Sequence, residues 1–295
     1  MQVFRHYDQA ALEAQYDSAA REPEITALRD ARAARTDVQA ARVRAMTAGV
    51  RLDIAYGRHP RERIDLFHAD NLRAGKAGGP LLAFIHGGYW RQRSKAEFAW
   101  LAPTFVARGI TVATIGYPLC PEVRIGDIVA SCRRALAYLY REAGALGFDA
   151  GCIHVAGHSA GGHLTAMMAA TDFGEHGASP GLVKSATCIS GLYDLEPLAL
   201  VKVNTDLRID KTDIATLSPM RLTPQTSVPL VLSVGDREGE EFLRNTAELA
   251  AAWRKRGSSI GMVDAPGRYH FDILDDFATP GRPLFERVVG LIGTL

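Results

Sequence analysis

From residue 50 onward the chain alternates between two hydrophobic rhythms. VRLDIAY (50–56) and RIDLFHA (63–69) alternate apolar and polar positions as half-buried strands do, whereas LLAFI (81–85) is a continuous apolar run, the pattern of a strand buried on both faces. TVATIGY (111–117), CIHVAG (152–157), SATCIS (185–190), PLVLSVG (229–235) and SIGMVDA (259–265) follow as further strands. Helical patterns lie between them. The clearest spans 123–146, where Ile125, Ile128, Val129, Cys132, Leu136 and Leu139 fall on one face at spacings of three and four. Strand and helix in this repeated order predict an α/β fold with a mostly parallel central sheet and helices on both faces, in which 50–56 and 63–69 form an antiparallel edge pair.

Residues 6–48 read instead as helix, broken at Pro23, with an Ala/Arg-rich run whose opposite charges largely offset one another. The expected organisation is an N-terminal helical appendage over 1–48 and one domain over 49–295, within the size a single core can reach. The stretch 191–224 contains no strand pattern and is the expected insertion near a site.

With 34 Lys and Arg against 33 Asp and Glu, the net charge of +1 gives no basic excess to hold nucleic acid or an anionic membrane surface, and no aromatic stacking set accompanies the arginines. No stretch approaches the roughly 20 apolar residues of a membrane span, and the first residues lack the apolar core of a secretory signal. Cys120, Cys132, Cys152 and Cys188 have neither metal-pair spacing nor disulfide-scaffold density, which fits reduced thiols in a cytoplasmic protein. The expected partner is a small-molecule substrate, and a homodimer is the expectation only from the prevalence of twofold oligomers.

Candidate chemistry sits at the strand ends. Gly157-His158-Ser159-Ala160-Gly161 is GxSxG placed between an apolar strand and a helical pattern, the setting of a nucleophile elbow that exposes a serine Oγ. The bland reading is a serine capping an ordinary helix. His86-Gly87-Gly88-Tyr89-Trp90 follows LLAFI, and a glycine pair there allows main-chain N–H groups to turn toward an oxyanion; the expected donors are the amides of Gly88, Tyr89 and Ala160. Taken alone, that loop reads better as a tight glycine turn beside a core tryptophan; a second motif at its own strand end, in the order oxyanion loop then nucleophile, is what favours the catalytic reading. A serine nucleophile needs a histidine base oriented by a carboxylate, in the order Ser, acid, His. His270 follows the last strand and is the only His beyond residue 176. The acid lies in Gly235-Asp236-Arg237-Glu238: Glu238 is favoured, three positions after the glycine, and Asp236 is the alternative. Trp90, Tyr89, Phe271 and Tyr193 would make an aryl-accepting pocket, or else pack in the core. No HExxH or GxxxxGK[ST] motif is present, and no metal or organic cofactor is called for.

Taken together, HGGYW (86–90), GHSAGGHL (157–164), SGLYDLEPL (190–198), GDREGEEF (235–242) and GRYHFDIL (267–274) resemble the α/β-hydrolase superfamily in its hormone-sensitive-lipase-like branch. More narrowly they resemble kynurenine formamidase (arylformamidase) and its bacterial esterase relatives, from about Tyr16 to the C-terminus. The resemblance implies an α/β-hydrolase fold, Ser159 as nucleophile, His270 as base, Glu238 as acid, oxyanion donors from the HGGxW loop, and Tyr193 and Asn204 beside the substrate. It implies an acyl-enzyme route from N-formylkynurenine to kynurenine and formate, without a cofactor. The alternatives are a carboxylesterase using the same residues and, in another class, a non-catalytic binding protein on this fold. Two departures stand out: Glu238 occupies a position where the family commonly has Asp, and Asp17 stands where its N-terminal motif has Asn.

Overall fold

The structure, a computed structural model, describes residues 1–18, 49–69, 78–225 and 227–293. The predicted appendage therefore falls largely, over 19–48, outside the described residues. Its strands are β1 (Val50–Ala55), β2 (Arg63–Phe67), β3 (Leu81–Ile85), β4 (Thr111–Ile115), β5 (Ile153–His158), β6 (Val183–Ile189), β7 (Leu230–Gly235) and β8 (Ile260–Ala265). They form one eight-stranded sheet in the order β1-β2-β4-β3-β5-β6-β7-β8. β1 pairs antiparallel with β2 and β2 antiparallel with β4, while every pairing from β4 to β8 is parallel. The predicted antiparallel edge pair and parallel body are both present.

The continuous apolar runs are explained by the two covered faces. Successive strand side chains point to opposite sides, so Leu81, Ala83 and Ile85 of β3 enter one core while Leu82 and Phe84 enter the other. β7 divides in the same way, with Leu230 and Leu232 on the first face and Val231 on the second.

The helices are α1 (Gln9–Tyr16), α2 (Ala102–Val106), α3 (Ile125–Leu146), α4 (Ala160–Ala169), α5 (Asn204–Leu207), α6 (Lys211–Leu217), α7 (Glu240–Lys255), α8 (Ile273–Ala278) and α9 (Pro283–Gly293). Residues of α1, α3, α4 and α7 join the first core, and those of α2, α8 and α9 the second. α3 realises the pattern over 123–146: all six of its spaced apolar residues are buried. Asp127 accepts from the Arg124 amide at its start (2.9 Å), and Gly147, at φ 83°, ends it in a left-handed turn that returns its N–H to the Ala143 carbonyl. The stretch 191–224 carries α5, α6 and short 3₁₀ turns between β6 and β7, with no strand among its described residues.

The segment before residue 19 packs against α7. Leu12 and Tyr16 are buried, the Tyr16 hydroxyl donates to Glu241 (2.9 Å), Tyr7 donates to Glu240 (2.7 Å), and Arg5 pairs with Glu248 (2.6 Å). Glu241 is itself buried and is held by Arg244, which also reaches Asp194 at 3.1 Å, so the Tyr16 hydroxyl meets a carboxylate whose charge is already compensated. Burial beside Glu241 raises the Tyr16 phenol far above its ordinary range, so it stays a donor.

On the opposite face Phe105 is fully buried, its ring centroid 5.0 Å from those of both Phe277 and Phe285. Truncation leaves a cavity between three elements that cannot collapse independently. Phe105→Ala is expected to lower the unfolding free energy by about 3–5 kcal/mol, measured by urea denaturation near pH 7.5.

Candidate active site

The site begins with a backbone constraint at the end of β5. Ser159 adopts φ 58°, ψ −122°, a conformation an L-residue takes only under compulsion from its surroundings. Its N–H donates to the Ile189 carbonyl (2.9 Å) and its carbonyl accepts from His163 (3.1 Å), which fixes the turn from both sides. The flanking glycines allow the close approach. A Cβ on Gly157 would meet the Gly161 carbonyl oxygen at 2.2 Å, and one on Gly161 would meet the Ile85 carbonyl oxygen at 2.0 Å. The elbow therefore presses directly onto the end of β3, where the second glycine loop starts.

That loop is braced from beneath. His86 is buried, its Nδ1 lies 2.7 Å from the Gly87 carbonyl, and the Tyr117 ring stacks on it at 4.2 Å while the Tyr117 hydroxyl donates to the His86 carbonyl (2.6 Å). Gly88 (φ 111°) and Tyr89 (φ 50°) then turn through the left-handed region. The N–H groups of Gly88, Tyr89 and Ala160 have no protein acceptor among the described residues. Unpartnered amides beside a serine Oγ are what an oxyanion requires.

Three side chains from three strand ends form one hydrogen-bonded row. His270 Nε2 lies 3.0 Å from Ser159 Oγ, and His270 Nδ1 lies 2.7 Å from Glu238 Oε2. The other oxygen, Glu238 Oε1, accepts from Ser190 Oγ (2.5 Å) and from the Gly235 amide (2.8 Å). The Glu238 side chain is fully enclosed, so each of its oxygens is compensated within the protein. Asp236, the alternative acid, faces outward and accepts from the Gly267 amide at 2.7 Å; it does not meet His270. The imidazole is packed by Phe242 (4.6 Å between centroids) and, edge-on, by Phe271 (5.2 Å).

The expected substrate-lining residues are distributed differently from the expectation. Trp90 and Tyr193 are fully buried, Trp90 standing edge-on to His163 at 5.0 Å, so both belong to the core. Asn204 is a local staple: its amide donates to the Ala199 and Ile209 carbonyls and its oxygen accepts from the Ile209 amide (2.6 Å). A recess does open beside His270, but its walls are Ser18, Arg237, Glu238, Gly239, Tyr269 and His270. Phe271 alone among those four touches the row, through His270.

Two further groups at the site lie within the quoted motifs, but the motifs by themselves give them no role. Ser190, in the left-handed region at φ 47°, reaches the carboxylate from the end of β6, where a serine has no distinguishing pattern. His158, the variable residue of GxSxG, has its Nε2 2.7 Å from the His270 carbonyl and so grips the loop that carries the imidazole. Among the described residues no group of His, Cys, Asp and Glu is arranged to hold a metal ion, and no helix is long and apolar enough to cross a membrane.

Residues 65–186 match the BD-FAE family model. The chain is 27% identical over 248 residues to kynurenine formamidase of Salmo salar, covering 82% of each protein. It is 32% identical over 262 residues to a protein of Oryza sativa subsp. japonica named probable isoprenylcysteine alpha-carbonyl methylesterase, covering 81% of this chain and 63% of that one. The crystal structure of a candidate thioesterase from Silicibacter sp. tm1040 superposes with a TM-score of 0.79 at 29% identity, covering 96% of this chain and 98% of that one.

Three buried histidines make the fold sensitive to acid. Burial pushes His86 down to about 3, and His154 and His163 each down to about 4, because none has solvent to stabilise a cation. In the unfolded chain each titrates near 6.5, so between about pH 6.5 and 4 the unfolded state binds more protons and stability falls as pH falls. The urea midpoint is expected to be level above about pH 7 and to drop below 6.5, by up to about 1.4 kcal/mol per pH unit for each histidine. Equal unfolding free energies at pH 7.5 and 5 would contradict this.

Proposed function

This chain is an α/β-hydrolase in fold and in similarity, and from that premise we propose that it is a serine hydrolase cleaving a formamide or ester through an acyl-enzyme, with N-formylkynurenine as its substrate. The observation that carries the reading is the unbroken row from Ser159 Oγ through His270 to the enclosed Glu238, beside unpartnered amides. In this reading His270 Nε2 takes the proton of Ser159 as Oγ attacks the formyl carbon. The carbonyl oxygen becomes an anion and is held by the amides of Gly88, Tyr89 and Ala160. His270 then gives that proton to the departing aryl amine, and the C–N bond breaks. A water repeats the sequence on the formyl ester, releasing formate and restoring the Ser159 hydroxyl. Glu238 keeps the proton of His270 on Nδ1 and stabilises the imidazolium formed in each half.

The identity to kynurenine formamidase across four-fifths of both chains favours the formamide, and the similarity to the rice methylesterase favours a carboxylesterase as the second reading. Residues 49–295 form the catalytic domain in this proposal, with 1–48 an N-terminal appendage whose described part, before residue 19, packs against α7. Four free cysteines fit a cytoplasmic setting.

Steady-state hydrolysis of N-formyl-L-kynurenine beside p-nitrophenyl acetate tests the reading. We expect kcat/KM of about 10⁴ M⁻¹s⁻¹ or more for the formamide, abolished by Ser159→Ala. Ester turnover with negligible deformylation selects the second reading. Glu238→Gln is expected to lower kcat by about 10²–10⁴-fold, while Asp236→Asn stays within about twofold; the reverse order would make Asp236 the acid. Failure of a serine-directed fluorophosphonate to label the native protein, where it labels a control hydrolase, would favour a non-catalytic binding protein.

A further inference from the structure

The glycine loop after β3 turns through the left-handed region at three successive residues, Gly88 (φ 111°), Tyr89 (φ 50°) and Trp90 (φ 56°). Only the first is a glycine, so the turn at the other two has to be held against the preference of the backbone. Its two flanks are held. The Gly88 carbonyl accepts from the Arg91 and Gln92 amides (3.0 Å each), the Trp90 carbonyl accepts from the Cys120 amide (2.8 Å), and the Trp90 ring is fully buried. Between them, the Tyr89 amide and carbonyl have no hydrogen-bond partner among the described residues. The hydrogen bond this residue does make comes from its side chain, whose hydroxyl donates to the Tyr16 carbonyl at 2.6 Å.

That acceptor is available because of where α1 ends. Tyr16 is the last residue of the helix, and the final carbonyls of a helix have no partner within it. With eight residues, α1 is too short to be stable alone and owes its place to what it docks on. Its end is anchored through the Tyr16 hydroxyl to Glu241 (2.9 Å), which Arg244 holds at 2.7 Å while also reaching Asp194 at 3.1 Å. The Tyr16 ring lies 6.1 Å from that of Phe242, which packs in turn on His270 at 4.6 Å. The carbonyl offered to Tyr89 is therefore fixed to the helix that also flanks the imidazole. Burial, reinforced by the nearby Asp17 carboxylate, raises the Tyr89 phenol far above its ordinary range, so it remains a donor at neutral pH.

We infer that the end of α1 is a strap on the oxyanion loop: the Tyr16 carbonyl holds the Tyr89 hydroxyl, and through it the turn that presents the Gly88 and Tyr89 amides to the developing anion. Tyr16 and Tyr89 are then positioning residues, and the N-terminal segment takes part in catalysis without contributing a group to the reaction. Oxyanion donors lower the barrier only when aimed at the place where charge develops, so a released loop loses transition-state stabilisation rather than substrate affinity. The inference rests on the serine-hydrolase reading and deepens it; it holds for a formamide and an ester alike.

The test reads kcat and KM separately for whichever of p-nitrophenyl acetate and N-formyl-L-kynurenine the wild-type protein turns over through Ser159, with a urea transition recorded for each variant. Tyr89→Phe keeps the ring and removes only the hydroxyl. It is expected to lower kcat about tenfold with KM within about twofold, since outright loss of one oxyanion donor costs about 10²–10³ in kcat. Tyr16→Phe keeps the accepting carbonyl but cuts its anchor to Glu241, and is expected to lower kcat about threefold in the same way. In the double variant the loss is expected to equal that of Tyr89→Phe alone, because both changes release one strap. Tyr7→Phe removes a bond to the solvent-exposed Glu240, before α1 begins, and is expected to leave kcat unchanged. Unchanged kcat in folded Tyr89→Phe, a loss that appears in KM instead, or losses that multiply in the double variant overturn the strap while leaving the hydrolase reading intact. If Tyr89→Phe shows no native urea transition, Tyr16→Phe and Tyr7→Phe decide: equal kcat in those two overturns the strap. Absence of Ser159-dependent turnover in the wild type overturns both.

Discussion

The contact between the turn at Ser159 and the end of β3 is the constraint on which the rest of the site depends. Two backbones approach so closely that Gly161 has no room for a methyl group against the Ile85 carbonyl. That approach exists because β3 and β5 are neighbours in the sheet although β4 lies between them in sequence. The crossover puts the glycine loop after β3 and the elbow after β5 side by side at the carboxyl edge of a parallel sheet, where loops from successive strands converge. The strained φ of Ser159 is sustained by this packing and by the hydrogen bonds on either side of it.

The second organising feature is an enclosed carboxylate. Glu238 is buried beside an imidazole, a serine hydroxyl and a main-chain amide, which together occupy both its oxygens. Such a group has one stable orientation, and the imidazole bonded to it inherits that orientation. Phe242 and Phe271 then pack on the His270 ring and His158 holds its carbonyl, so the position of Nε2 relative to Ser159 is set by packing as well as by hydrogen bonds.

Much of this was legible in the sequence because the chemistry lies where the strand pattern stops. GxSxG, HGGYW and His270 each directly follow an apolar run, and a strand end in a parallel sheet has a predictable location. The choice between Asp236 and Glu238 is tied to the turn after β7, in which the Glu238 amide returns to the Gly235 carbonyl and its side chain folds back over the Gly235 amide. Trp90 and Tyr193 illustrate the opposite case: an aromatic residue beside a glycine loop has the same sequence pattern whether it faces a cleft or the core, and here both face the core. Asn204 closes its own turn. The contacts of Ser190 and His158 were illegible for a different reason: their partners lie 48 and 112 positions away, and no local spacing encodes such pairings.

The strand order also bears on how the molecule comes into being. Every group in the hydrogen-bonded row comes from a different strand end, and the elbow closes only when β3 has seated beside β5 through a non-local, parallel pairing, the slow kind of contact to form. A nascent or partly assembled chain with β3 unseated lacks the Ile85 carbonyl against which Gly161 packs, one of the contacts that hold Ser159 in its strained turn. The hydrogen-bonded row from Ser159 to Glu238 is therefore a late product of assembly, complete only when the sheet is complete.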